Sequence, residues 1–468
     1  VIVPRNLLLF LFVLSVGLLL ASCGAGDRLR DINPFRGAES DDLDAPDRAD
    51  RRSVLELGES LTINADQTVI LPRAYNNSAW PQADGYPTHA MQHTQATGPL
   101  DIVWRKRIGE GSSRRGRLNA RPVIANGLIF TIDASGHISA HDLQDGDRQW
   151  RVQLDDETMH EAEDGGVLSF FRRDKPVITF GGGIAFDSGR IYVHSGGLFL
   201  VALNADNGDE LWRARALTPF HSSPTIADGR VFVSTDDNEM LALDAANGEV
   251  LWTHRSIAET ARLLTAPSVA VLGEVAVAPY SSGEVVALRA QNGVVLWSDS
   301  LTRAGGLTPL SVINDIAASP VVLGDAIYAM SHSGTMVAFD LRTGERIWEQ
   351  PVGGLYPPSV AGDFLFMVTV NAALIAVHRS TGEVVWLTQL RQFKNERNRK
   401  NRISWAGPIL AGGRLVLASS DGDLHLFDPT NGEQIGDRNL GDTVYIAPVI
   451  ADETVIVLTD KGRLIALR

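Results

Sequence analysis

Few residues in this chain stand in an arrangement that could do chemistry. His89 and His93 are four apart, a spacing that places two imidazoles on one helix face as metal ligands. No thiol or carboxylate close by in sequence completes the set, and Pro87 and Gly98 flank it against a long helix. Both are read as surface or packing histidines. Ser281-Ser282-Gly283 lacks the strand, sharp turn and helix that raise a serine nucleophile. A quinone-dependent dehydrogenase needs a calcium or lanthanide held by hard oxygen ligands, and a carboxylate base. No Glu/Asn/Asp set here can be assigned to that metal. The expectation is no catalytic residue, no cofactor and no metal. Ligands scattered over a fold leave no local motif, so a periplasmic quinone enzyme stays open as an alternative. A glycan- or peptide-binding domain is the other.

The strongest chemical signal is Cys23, the single cysteine of 468 residues. It follows an apolar run from Leu7 to Leu20 with Arg5 before it, and sits in Leu20-Ala21-Ser22-Cys23-Gly24. The run has the length of a signal segment and is short for a membrane span. Small residues ahead of a cysteine at this place resemble a bacterial lipobox. Residues 1–22 are expected to be a lipoprotein signal peptide and Cys23 the lipid (palmitate-bearing) attachment point. Gly24 after the cysteine, rather than Asp, points to outer-membrane sorting on the periplasmic side.

Residues 23–75 are expected to be a flexible acidic tether, because Asp27–Asp50 is rich in Asp, Arg, Ala and Gly and poor in apolar residues. Residues 76–100 read as a lead-in crossing the fold. The net charge of −14 argues against a nucleic-acid surface. Against that background Arg391–Arg402 carries six bases and one acid. It reads as a positive loop for an acidic surface or lipid headgroups, or as a plain solvated loop. Asp155–Lys175 and Leu301–Ala317 read as inserts, either partner contacts or solvated loops.

The elements that must position all this are set by a repeat. Leu241-Ala-Leu-Asp-Ala-Ala-Asn-Gly-Glu-Val-Leu-Trp252 reads as strand, tight turn, strand. Related copies end on Trp150, Trp212, Trp297, Trp348 and Trp386, and a seventh has Gly436 in place of tryptophan. The first half of an eighth copy ends the chain at Arg468, and its second half stands far upstream as Asp101-Ile-Val-Trp104. From Trp104 to Gly436 the spacings are 46, 62, 40, 45, 51, 38 and 50 residues. That is the length of a four-stranded propeller blade. The expectation is an all-β, eight-bladed β-propeller of four-stranded antiparallel blades over 101–468, closed by an N-terminal strand pairing with the C-terminal blade. The tryptophans are expected to pack in the wedge between blades. A buried indole contributes up to about 4–6 kcal/mol by area.

The phrase Ala-x-Asp-x-x-Thr/Asn-Gly-x-x-x-Trp resembles the repeat of pyrroloquinoline-quinone-type propellers. With the lipobox, a single propeller, and the stretches Asp325–Gly344, Arg346–Gly354 and Arg262–Pro267, the chain is similar to the BamB family of outer-membrane assembly lipoproteins. The resemblance implies a scaffold without catalysis. Its propeller would bind the periplasmic POTRA repeats of the central barrel-insertion protein, beside other assembly-complex lipoproteins, and assist insertion of unfolded β-barrel clients. The family contacts that partner through a loop arginine before one blade's proline-containing strand and two aspartates before the neighbouring one. Arg262 matches the arginine. Asp315 matches one aspartate, and Ala317 stands at the other. Glu259 and Ala261 replace apolar residues ahead of the arginine. A local loop hydrogen bond is the other reading for Arg262 and Asp315.

Overall fold

The computed structural model describes residues 61, 63–64, 67–114, 116–154, 182–257, 259, 263, 265–302 and 313–468. By internal contacts the chain divides into residues 1–57 and 58–468. The signal segment, Cys23, most of the expected tether, the insert from Asp155 and Arg262 lie outside the described residues. Within the described residues every regular element is a strand. Eight four-stranded antiparallel sheets form eight blades. Blades 1 to 7 span 123–153, 183–215, 225–255, 270–300, 321–350, 359–389 and 405–439. Blade 8 is built from 449–467 and, as its fourth strand, Ile102–Arg107.

Each blade runs from the axis outwards. First strands such as Val123–Ala125 are buried throughout, whereas fourth strands such as Val250–Arg255 alternate at the rim. Short apolar runs thus become inner strands, and alternating ones become outer strands with one wet face. The ring closes where Ile102–Arg107 pairs antiparallel with Arg463–Leu467.

The repeat phrase encodes two packing units. In seven blades the tryptophan lies directly across from an alanine: Ala140, Ala202, Ala242, Ala287, Ala338 and Ala376 in blades 1 to 6, and Ala466 opposite Trp104 in blade 8. Blade 7 swaps the sizes, with Leu426 opposite Gly436. Each indole also lies over the glycine of the next blade's turn. Gly248, for instance, has φ +78, and a Cβ there would meet Trp212 at 2.5 Å. The turn needs the left-handed region and the indole needs the missing side chain, so only glycine suits.

Six of the seven indoles donate Nε1–H to a carbonyl of that neighbouring turn, such as Trp252 to Ala290 O at 3.1 Å, Trp297 to Leu341 O at 3.0 Å and Trp386 to Pro429 O at 3.0 Å. The exception is Trp104. Its Nε1 is buried without a partner, and the equivalent carbonyl, Leu143 O, accepts from Arg468 Nη2 at 3.3 Å. The tryptophans are therefore staples near the rim. Trp212, Trp348 and Trp386 are buried, whereas Trp104, Trp150, Trp252 and Trp297 are half-buried.

Gly436 now has a reason. A tryptophan there would need the third turn of blade 8, and there the blade has a break in place of a hairpin, because its fourth strand, Ile102–Arg107, comes from far upstream. A pair of main-chain bonds (Asp101 N to Arg468 O, 2.8 Å, and Arg468 N to Asp101 O, 3.0 Å) bridges the break. Arg438 reaches across from blade 7 to Asp101 Oδ1 at 3.1 Å and Pro99 O at 2.8 Å.

The lead-in is a clasp. It joins the inner strand or first turn of every blade in turn. Trp80 exchanges main-chain bonds with Ile124 of blade 1, both 2.8 Å. Pro81 O accepts from Phe186 N of blade 2, and the Gln82 side chain pairs with Ile226 of blade 3. Pro87 O accepts from Val271 N of blade 4, and Thr88 O from Val322 N of blade 5. Gln92 Oε1 accepts from Gly362 N of blade 6, Thr94 pairs with Leu410 and Gly412 of blade 7, and Asn77 pairs with Ile450 and Asp452 of blade 8. The inner edge strands that a propeller leaves open at its axis are thereby satisfied. Packing onto the ring begins ahead of the expected boundary at residue 75: Ile63 bridges Val384, and Val69 is buried against blade 6.

Candidate functional site

A propeller has two faces. Turns between first and second strands lie on one. Connections from each fourth strand to the next blade lie on the other. The clasp touches first turns at Gly362, Gly412 and Asp452, so it covers the first face. The opposite face, the loop face, carries the blade-to-blade connections, including the one with Asp315. The candidate site is built there.

At the axis the loop face opens into a cavity of about 420 Å³. Asp84, from the clasp, forms part of its lining with Arg121, Ser319, Tyr356 and Tyr445. Asp84 Oδ1 pairs with Arg121, and Oδ2 accepts from Ser319 Oγ at 2.6 Å and Ser268 Oγ at 3.1 Å. Burial pushes the Asp84 carboxyl up, but Arg121, His89 and the two serines outweigh it and hold it below the usual carboxylate range. His89 Nδ1 donates to Pro320 O at 2.6 Å, which fixes the tautomer and leaves Nε2 to face Ser268 Oγ at 3.3 Å. Burial lowers its pKa. His93 is occupied in the same way, with Nδ1 on Pro72 O at 2.7 Å and Nε2 accepting from Gly413 N at 2.8 Å. The two histidines clasp blades 5 and 7 respectively, and each ring spends both nitrogens on structure. Asp84, five residues before His89, was passed over in the sequence; the fold brings the two together at Ser268 Oγ. The arrangement is a locked charge cluster, with no nucleophile and no free base.

Asp315 is buried at 3 % exposure. Its Oδ2 accepts from Leu263 N at 2.8 Å, and its carbonyl accepts from His332 N at 2.9 Å. It therefore ties the connection entering blade 4, which carries Arg262, to the connection entering blade 5. Its geometry is that of a buried residue anchoring that connection at Leu263.

Two residues that the sequence did not single out are exposed on the same face. Leu217, on the connection into blade 3, is 85 % exposed, and Ile257, on the connection into blade 4, is 69 % exposed. Beside Ile257 a groove of about 470 Å³ runs between blades 3 and 4, lined by His254, Ser256, Glu284 and Val295. Apolar side chains standing in polar loops just after Arg215 and Arg255 were the available signal. The loop face at blades 3 to 5 thus presents apolar side chains and a groove in one arc, which is how a protein-binding surface is composed.

A sequence model of the family described as "Outer membrane protein assembly factor BamB" matches residues 134–388 and 392–468. The Salmonella typhimurium outer membrane protein assembly factor BamB is 27% identical over 374 residues, 78% of this chain and 88% of that one. Among solved structures, BamB from Moraxella catarrhalis aligns with a TM-score of 0.65 at 18% identity, over 79% of this chain and 99% of that one. The quinohemoprotein alcohol dehydrogenase of Comamonas testosteroni aligns with a TM-score of 0.63 at 13% identity, over 84% and 81%. At such identities the structures speak for the fold alone. The sequence matches, which cover most of the repeats, decide the family: this chain belongs to that of the outer membrane protein assembly factor BamB.

Proposed function

We propose that this chain is a non-catalytic scaffold of the outer-membrane β-barrel assembly machinery, held at the periplasmic face of the outer membrane by lipid on Cys23. Its loop face at blades 3 to 5 binds the POTRA region of the central barrel-insertion protein, and the complex assists insertion of barrel clients. Family membership carries this reading. The surface composition of that arc supports its placement. Arg262 supplies a guanidinium able to pair bidentately with a carboxylate, Ile257 and Leu217 supply the apolar contact, and Asp315 holds the loop. The axis supports the non-catalytic part, since Asp84 and His89 spend their polar atoms on Arg121, Ser268, Ser319 and Pro320 of the ring.

The test is recovery of partners. Tagged, lipidated full chain is extracted in mild detergent and its companions are identified by mass spectrometry. A POTRA-bearing barrel protein is expected in stoichiometric amount. Its absence, with a quinone absorbance and metal in the sample, would replace the scaffold by the dehydrogenase.

A further inference from the structure

The basic stretch 391–402 has no part in the account so far. It forms a two-stranded hairpin, Phe393–Asn395 paired with Lys400–Arg402, on the connection from blade 6 to blade 7 and hence on the loop face. Its six bases and one acid give +5 in a chain of −14, so the remainder carries −19.

The hairpin is held in place. Arg391 and Lys394 pair with Asp421 at 3.2 and 2.8 Å. Gln392 Nε2 donates to Asn371 O at 2.8 Å, and Trp405 Nε1 to Arg391 O at 2.9 Å. Glu396 Oε1 accepts from the main-chain N–H of Gln392 and of Phe393, at 3.0 and 3.1 Å. Arg402 Nη2 donates to Val370 O. The Arg399 guanidinium lies 5.5 Å over the Phe393 ring. The side chains of Arg397 and Lys400 are exposed and have no hydrogen-bond or ion-pair partner among the described residues. Some bases therefore build the projection while these two are left for something else.

We propose that this hairpin is a docking prong for an acidic polypeptide surface, carried by the same partner that engages the loop face; it rests on the reading above. Guanidinium forks match carboxylates in plane. A bilayer is the poorer fit. The hairpin's apolar residue, Phe393, is half-buried under Arg399 and offers nothing to insert.

Arg397→Glu/Lys400→Glu in the full chain is the test, because neither side chain supports the fold. Its unfolding midpoint is expected to match the parent's. Titrated with the purified POTRA region, it is expected to bind about tenfold more weakly at about 50 mM salt, with the gap closing at about 300 mM. Arg397→Lys/Lys400→Arg should bind like the parent. Equal affinity of the Glu variant at both salt levels would overturn the proposal. So would a loss confined to flotation with vesicles of phosphatidylethanolamine and phosphatidylglycerol, which would assign the prong to lipid. Polyglutamate reads the prong independently of the partner. The parent should retain it and the Glu variant should not; equal retention would overturn the prong. A parent that binds polyglutamate but not the POTRA region would sink the partner reading and, with it, the assignment of the prong to that partner.

Discussion

A chain that begins at Asp101 is expected to be less stable than the full chain by at least about 5 kcal/mol, read as a fall in urea midpoint. The clasp supplies main-chain or side-chain hydrogen bonds to all eight blades and buries Val69, Trp80, Met91 and Leu100. Trp80, 4 % exposed, accounts alone for about 3–5 kcal/mol, the usual cost of truncating a buried indole. Loss of Asp84 also leaves the half-buried Arg121 guanidinium without its carboxylate partner. Trp80→Ala separates the packing contribution from the rest, and a peptide of residues 61–100 added in trans should raise the shortened chain's midpoint. If the shortened chain melts with the parent, the clasp is a passenger and the ring is held by Ile102–Arg107 alone.

The second large effect concerns the staple. Trp386→Ala is expected to cost about 3–5 kcal/mol, since the indole is 8 % exposed and its Nε1 bond to Pro429 goes with it. Gly432→Ala attacks the same contact from the other side. Its φ is +74, and a Cβ would come within 2.5 Å of Trp386 Cε3 and of Thr388 Oγ1. A cost of about 1–3 kcal/mol follows from overpacking and backbone strain. The two changes touch each other, so the double variant should cost less than their sum, the new methyl entering the space the indole left. Strict additivity in a double-mutant cycle would show that indole and turn do not form one unit. Gly436→Trp should gain nothing, because blade 8 has no third turn for an indole to lie on.

The repeat was readable because its staple uses residue types with few substitutes. A large flat ring needs a small residue across from it and a bare turn beside it, so tryptophan, alanine and glycine recur at fixed offsets. Even the Gly436 exception was visible, though its cause lies in blade 8 taking its fourth strand from far upstream. The clasp was far less readable. Most of its bonds come from the main chain, which any sequence can supply, so Pro81, Pro87 and Thr88 carry no signature of their partners. The Asp84–Arg121 pair joins residues 37 apart through the fold. His89 and His93 look like a pair in sequence but serve different blades. Asp315 was noticed by resemblance, yet its burial and its bond to Leu263 follow from the approach of two neighbouring connections. Leu217 and Ile257 matter only because those connections share a face.

The central claim is that the loop face, opposite the clasp, meets the partner. The direct measurement is titration of the purified POTRA region into the full chain and three variants: Arg262→Glu, Ile257→Glu and Ile70→Glu. Ile70 lies in the clasp segment and is 75 % exposed, a match in chemistry for Ile257 on the opposite face. Arg262→Glu and Ile257→Glu are expected to weaken binding at least about tenfold, while Ile70→Glu leaves it unchanged. Weakening by Ile70→Glu, with the two loop-face variants binding like the parent, would contradict the account and move the interface to the clasp.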